Sequence, residues 1–141
     1  MPAFVLDAAL TLAWCFADEA NELVSYAYSS LRNRLSFALV PDLWPFEVAN
    51  VLAGAERRRR ISAGQVADFL EELRALPIHV ERREAIWICH DLTLLCRRHP
   101  LTAYDAAYLS LAQREQAPLA TLDEQLRAAA ASAGIPLLQA P

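Results

Sequence analysis

The sequence predicts an α/β fold, a three-layer α/β/α sandwich around a central parallel sheet. Short apolar runs alternate with helical stretches, every link between consecutive runs is long enough for a crossover helix, and no repeat or linker breaks the pattern. A chain of 141 residues fits one domain spanning 1–141, large enough to bury a core without staples.

Residues 3–6, Ala-Phe-Val-Leu, form an apolar run that ends at Asp7, and residues 36–40 form a second that ends at Pro41. Both have the composition of strands buried on two faces. Between them lie helical segments at 9–17 and about 20–34, the second with Leu23, Tyr26, Ala27 and Leu31 at helical spacing. Asp42 is placed to cap a helix with Pro45 in its first turn that runs to about Arg59. Ser62 and Gln65 make a capping box for the next, whose stripe is Val66, Phe69, Leu70, Leu73 and Leu76.

Pro77 precedes a third strand, residues 78–81. A helix follows with the stripe Ala85, Ile88, Cys89, Leu92, Leu95 and Cys96. Residues 102 to about 116 predict a helix that is apolar nearly all round. Residues 118–122 predict a strand, 124–131 a final helix stopped by Gly134, and 136–138 a last short strand.

The composition excludes several functions. All thirteen basic residues are Arg, so no lysine is available as a phosphate anchor, Schiff base or receiver-domain partner. The net charge of −4 offers no global attraction for a polyanion, and nucleic-acid binding would have to rest on local arginines, of which Arg57 to Arg60 are the one cluster, and on bound metal. The glycines, Gly54, Gly64 and Gly134, make no phosphate loop. Cys15, Cys89 and Cys96 suit reduced packing thiols, and Cys89, His90, Cys96 and His99 spread around one helix instead of converging on zinc. The start, Met-Pro-Ala-Phe-Val-Leu-Asp, lacks the pattern of a secretory signal, and no stretch is apolar enough to span a membrane, so a cytoplasmic location is expected.

Four acids stand out against apolar surroundings. Asp7 ends the first strand, Asp123 follows the fourth, Glu47 sits in Leu43-Trp-Pro-Phe-Glu-Val-Ala-Asn-Val-Leu52, and Asp105 in Ala103-Tyr-Asp-Ala-Ala-Tyr-Leu109. A carboxylate in such a setting is costly to desolvate unless a positive charge meets it, and no Arg lies within four residues of Glu47 or Asp105. Magnesium or manganese, hard cations that prefer oxygen ligands, would meet that need and make a phosphodiester-hydrolysing centre. Each acid also has a structural alternative. Asp7 suits a cap of the helix after it, Asp105 is the N3 partner of Thr102, Asp123 fits the first turn of a helix capped by Thr121 with Glu124 completing a box, and Glu47 fits a solvated stripe with Asn50.

In order and spacing, Phe4-Val-Leu-Asp7, residues 41–50 with Glu47, Leu101-Thr-Ala-Tyr-Asp-Ala-Ala-Tyr-Leu109 and Leu119-Ala-Thr-Leu-Asp123 resemble the PIN-domain nucleases, especially the VapC-type toxins of toxin–antitoxin systems. The resemblance covers essentially the whole chain. It implies a magnesium or manganese site made by Asp7, Glu47, Asp105 and Asp123, endonucleolytic cleavage of RNA, a cognate antitoxin protein and a homodimer, with apolar contacts expected around 20–35 and 43–55. It also marks a departure: many relatives carry Ser, Thr or Asn two residues after the first Asp, where this chain has Ala9. Thr11 is the candidate to replace that polar contact. The alternative from another class is a PIN-like module that binds RNA or protein without cutting.

Overall fold

The computed structural model describes residues 1–19 and 21–141. Four parallel strands, β1 (Ala3–Leu6), β2 (Phe37–Val40), β3 (Ile78–Val80) and β4 (Leu119–Ala120), form a sheet in the order β3-β2-β1-β4. Leu137 extends this order with a parallel bridge to Leu119, so the predicted last strand is a single pairing. Seven α-helices connect and cover the strands: α1 (Ala8–Ala13), α2 (Glu22–Arg32), α3 (Trp44–Arg57), α4 (Ala63–Ala75), α5 (Ala85–Arg98), α6 (Ala103–Glu115) and α7 (Glu124–Ser132).

The topology fixes which helices share a layer. The chain steps from β1 to β2 to β3 in one direction across the sheet, then returns past both to β4 and continues outward to Leu137. Right-handed crossovers therefore put the β1–β2 and β2–β3 helices on one face and α5, α6 and α7 on the other. At β1 and β4 the exits diverge, and this switch point opens a crevice at the carboxyl ends of the two strands.

β1 is buried for the reason its composition suggests: Phe4, Val5 and Leu6 are all in the core, covered on both faces. Helix α6 is buried along the continuous run Ala106–Ala112 and packs on β1, β2 and β4, as an all-round apolar helix should. Helix α4 starts with the expected capping box, the Gln65 N–H donating to Ser62 Oγ at 3.1 Å and the Ser62 N–H to Gln65 Oε1 at 2.9 Å. Gly134 stops α7 with φ 73°, so that the Ile135 N–H reaches the Ala130 carbonyl at 2.8 Å and the Gly134 N–H the Ala131 carbonyl at 3.2 Å.

Several elements differ from the sequence expectation. Helix α1 is shorter than 9–17, because i→i+3 bonds from Trp14 to Thr11 and from Cys15 to Leu12 tighten its last turn, and a short 3₁₀ turn follows at Ala17–Glu19. Residue 20, where the next helix was expected to begin, lies outside the described residues; α2 is capped by Asn21, which accepts from the Val24 N–H. Asp42 does not cap α3. The residue before α3 is Leu43, without a side-chain cap, and a turn from the Trp44 N–H to the Pro41 carbonyl leads into the helix.

Helix α5 departs most. Leu95 is buried and Ile88, Leu92 and Cys96 half-buried, but Cys89 is exposed and is not a packing thiol. The far side of the helix is apolar as well, with Ile86, Trp87 and Leu94 exposed.

Candidate active site

The crevice between β1 and β4 collects the four acids from four different elements. Asp7 follows β1 directly, Asp123 lies three residues beyond β4, Glu47 sits in the first turn of α3 and Asp105 in the first turn of α6. Their proximity shows in how they act on one another: Asp123 and Glu47 both raise the pKa of Asp7, Asp105 raises that of Glu47, and Asp123 that of Asp105. The acids form a closed circuit of like charges. Among the described residues no ion pair joins any of them to a cation, and no three converge into a preformed cage of metal ligands.

Asp7 is the deepest of the four, 5% exposed. Its backbone is extended, with φ −83° and ψ 162°, and Oδ1 accepts the Leu10 N–H at 2.8 Å, so it is the N-cap of α1. Oδ2 accepts the hydroxyl of Thr121. Burial nonetheless dominates, and it pushes the Asp7 carboxyl up to about 6 against these hydrogen bonds, with repulsion from Asp123 and Glu47 adding to the rise.

The other three are half-buried. Glu47 Oε1 accepts the hydroxyl of Tyr108. Desolvation first and Asp105 second raise the Glu47 carboxyl. The same burial, with the hydrogen bond to Glu47, drives the Tyr108 phenol far above its ordinary range and keeps it a donor. Asp105 is raised by desolvation and by Asp123 against the pull of the Thr102 side chain, whose Oγ1 also accepts the Asp105 N–H at 3.2 Å. Asp123 is itself the N-cap of α7, Oδ1 accepting from Gln125 N at 2.8 Å and Leu126 N at 3.2 Å, in place of the cap expected at Thr121.

Capping and clustering are thus compatible roles. Asp123 caps through Oδ1 alone and Glu47 accepts Tyr108 on Oε1 alone, so Asp123 Oδ2 and Glu47 Oε2 remain available among the described residues. The set fits a hard divalent cation: oxygen donors alone, raised carboxyls, and no lysine or arginine already neutralising them.

Two residues of the site were not singled out in the sequence as such. Thr121 is fully buried, donates to Asp7 and accepts the Asp123 N–H at 3.1 Å, linking two acids through one hydroxyl. Its position two before Asp123 at the end of a strand is the signal that could have found it; the Val5–Leu119 and Leu6–Ala120 register then leads on to Asp7 beside Thr121. Tyr108 lies in the all-round apolar stretch of the predicted 102–116 helix and is both a core ring and the hydrogen-bond donor to Glu47. Thr11 does not replace the polar contact missing at Ala9. It bonds back to the Asp7 carbonyl at 2.8 Å and accepts Trp44 Nε1 at 3.1 Å, and the carboxylate takes Thr121 instead.

The arginine cluster divides. Arg60 pairs with Asp18 at 3.0 Å and lies 4.0 Å over the Phe16 ring, whereas Arg57, Arg58 and Arg59 extend from the far end of α3. Ten residues of helix separate Arg57 from Glu47, about 15 Å. Arg83 pairs with Asp91 at 2.7 Å, and Arg127 donates to the Thr121 carbonyl at 2.8 Å.

A family model described as the PIN domain matches residues 4–132. Ribonuclease VapC3 of Pyrobaculum aerophilum is 32% identical over 126 residues, a match that spans 86% of this chain and 90% of the relative. With a parallel sheet of this order, acids gathered at its switch point, and matches over nearly the full length, the chain belongs to the PIN-domain family and, within it, to the VapC-type proteins.

Proposed function

We propose that the chain is a metal-dependent endoribonuclease, the toxin of a toxin–antitoxin pair, acting through Asp7, Glu47, Asp105 and Asp123. The observation that carries this reading is the circuit of four carboxylates without a countercharge at the switch point of the sheet. Such an arrangement is unfavourable by itself and gains its purpose when a cation is bound. The name and extent of the VapC3 relative support RNA as the substrate.

Magnesium or manganese is the ion the donor set fits. When bound it polarises a phosphoryl oxygen and makes a water nucleophilic near neutral pH. Hydrolysis then adds hydroxide to phosphorus and a proton to the leaving oxygen. The chain's own residues prepare this. Asp105, beside Thr102, and Asp7, fixed by Thr121 and the Leu10 N–H, would be the direct ligands. Glu47, oriented by Tyr108, and Asp123, oriented by the α7 backbone, would hold the ion's waters or a second ion.

A cognate antitoxin and a second copy of the chain are the partners of this reading, and the cytoplasm is its place of action. The exposed apolar face of α5, with Ile86, Trp87 and Leu94, is the surface available for the partners, in addition to the α2–β2 and α3 regions where Leu35 and Val51 are exposed. No α-helix among the described residues is long and apolar enough to cross a membrane.

The test is Asp105→Asn, assayed on RNA across a magnesium and manganese titration. The substitution removes a charge and scarcely changes volume. Loss of cleavage in a protein that stays folded is expected. Wild-type cutting by the variant would remove the site assignment, and a wild type that binds RNA but never cuts it would leave a binding module.

A further inference from the structure

We propose that Phe46 and Tyr104 are base-stacking platforms flanking the carboxylates, the side chains on which unpaired bases of the substrate rest. The proposal rests on the nuclease reading and adds to it the residues that hold the bases. Phe46 is 77% and Tyr104 66% exposed, and among the described residues neither ring stacks on another ring or beneath a cation. Rings of this size are normally buried or covered.

Their placement is shared. Phe46 precedes Glu47 in the first turn of α3, and Tyr104 precedes Asp105 in the first turn of α6. Tyr108 of α6 donates to Glu47 of α3, so the two helices meet beside the acids, and each carries an exposed ring next to its carboxylate in the chain. A phosphate held at the acids through a cation would carry its neighbouring nucleotides over these rings.

The surroundings favour RNA over a protein partner. Along α3 the residues that share a face with Phe46 are Ala49, Asn50 and Ala53, all three exposed; next to Tyr104 stand Thr102 and Ala103, also exposed. Each ring thus rises from small or polar neighbours, which leaves a shelf for one flat base, whereas α5 offers the contiguous apolar face that a protein interface needs. Stacking needs splayed bases, and those of a duplex are already stacked within it.

The experiment measures binding of a fluorescent single-stranded oligoribonucleotide, and of the blunt duplex it forms with its complement, in magnesium with Asp105→Asn silencing cleavage. Phe46→Leu and Tyr104→Leu should each weaken single-strand binding on the order of tenfold, with Phe46→Trp and Tyr104→Phe restoring it and duplex binding unchanged. With Asp105 intact, the Leu variants should raise KM and leave kcat as it was. Unaltered affinity in both Leu variants would overturn stacking while a cutting wild type keeps the nuclease reading. A fall in sedimentation mass in the Leu variants would overturn it in favour of a second copy of the chain on these rings. A wild type that neither binds nor cuts RNA would remove both readings.

Discussion

The hydroxyl of Thr121 donates to the carboxylate of Asp7 across 114 residues of sequence, and the same oxygen accepts the Asp123 N–H. One buried side chain thereby sets the positions of two acids that repel each other. It does so from the register of β1 with β4, which brings Thr121 beside Asp7 before any side chain is considered.

Thr121→Val keeps the shape and removes the hydroxyl. A buried carboxylate oxygen and a backbone N–H lose their partner, at a cost of about 1–3 kcal/mol. The Thr121 bond lowers the Asp7 pKa, so its loss should raise that carboxyl above about 6. Urea unfolding in chelator should find the variant less stable at pH 7, with the deficit shrinking as pH falls through about 6, where folded Asp7 takes up its proton in both proteins, and Thr121→Ser close to wild type. A constant deficit at all pH values would mean that only packing was lost.

How much of this was legible beforehand depends on which physical rule governs a residue. Phe4-Val-Leu is continuous and β-prone, so burial on both faces followed from composition, and the same holds for the all-round apolar α6. The four acids were visible because apolar neighbours make a carboxylate conspicuous. Thr121 was not, because a threonine at a strand end has many uses and its function arises from pairing with residues 114 positions away. The face of α5 misled for a related reason: Ile88, Leu92 and Leu95 do point inward, but Ile86, Trp87, Cys89 and Leu94 leave the opposite side nearly as apolar, and periodicity alone does not say which side the core takes. Asp42 failed as a cap because the chain makes one more turn before the helix begins, a displacement of the kind expected at helix ends.

The division of the arginines changes what a charge substitution should do. Arg57→Gln, Arg58→Gln and Arg59→Gln together should weaken RNA binding and reduce the slope of log affinity against log salt, by about 0.7 for each single-strand phosphate that is no longer neutralised. Arg60→Gln should leave that slope alone and lower stability by about 1 kcal/mol, since it removes a partly exposed pair with Asp18 and a cation–ring contact with Phe16. Filter binding across a salt series, with thermal melts of each variant, checks both. An unchanged slope in the triple variant would return Arg57 to Arg59 to a solvated helix end.

Helix α6 ends on a side chain held in the left-handed region. Gln116 has φ 51°, and the turn it makes lets the Ala117 N–H reach the Ala112 carbonyl at 3.1 Å. A residue with a Cβ is strained there by roughly 1–2 kcal/mol, and Gly134 shows the unstrained solution at the end of α7. Gln116 is exposed, and its side chain forms no hydrogen bond among the described residues. Gln116→Gly should therefore stabilise the fold by about 1 kcal/mol, and Gly134→Ala should destabilise it by a similar amount. A lower melting temperature for Gln116→Gly would mean that the flexibility gained by the unfolded chain outweighs the relief of strain.

The pH dependence of the metal-free protein follows from Asp7. Its carboxyl moves from an ordinary 3.8 to about 6 on folding, chiefly through burial. Below about pH 4 it is protonated whether folded or not, and its contribution is complete. Between about pH 4 and pH 6 the unfolded chain releases the proton while the folded one keeps it, so stability falls as pH rises and levels off above the folded value. The shift corresponds to roughly 3 kcal/mol. Glu47 and Asp105, also raised, act with the same sign. Asp7→Asn removes this dependence and keeps the cap, because Asn accepts the Leu10 N–H as well as Asp does, and the Thr121 hydroxyl can turn to accept from the amide. In chelator at pH 7 the variant should melt above wild type, and at pH 4 the two should coincide. Magnesium should reverse the order: it binds the folded acids, raises the wild-type melting temperature with concentration, and helps Asp7→Asn less. Should wild-type stability rise between pH 4 and pH 6, or should the melting temperature ignore millimolar magnesium and manganese while Asp7→Asn only destabilises, Asp7 is a structural cap and the metal-dependent reading of the site is wrong.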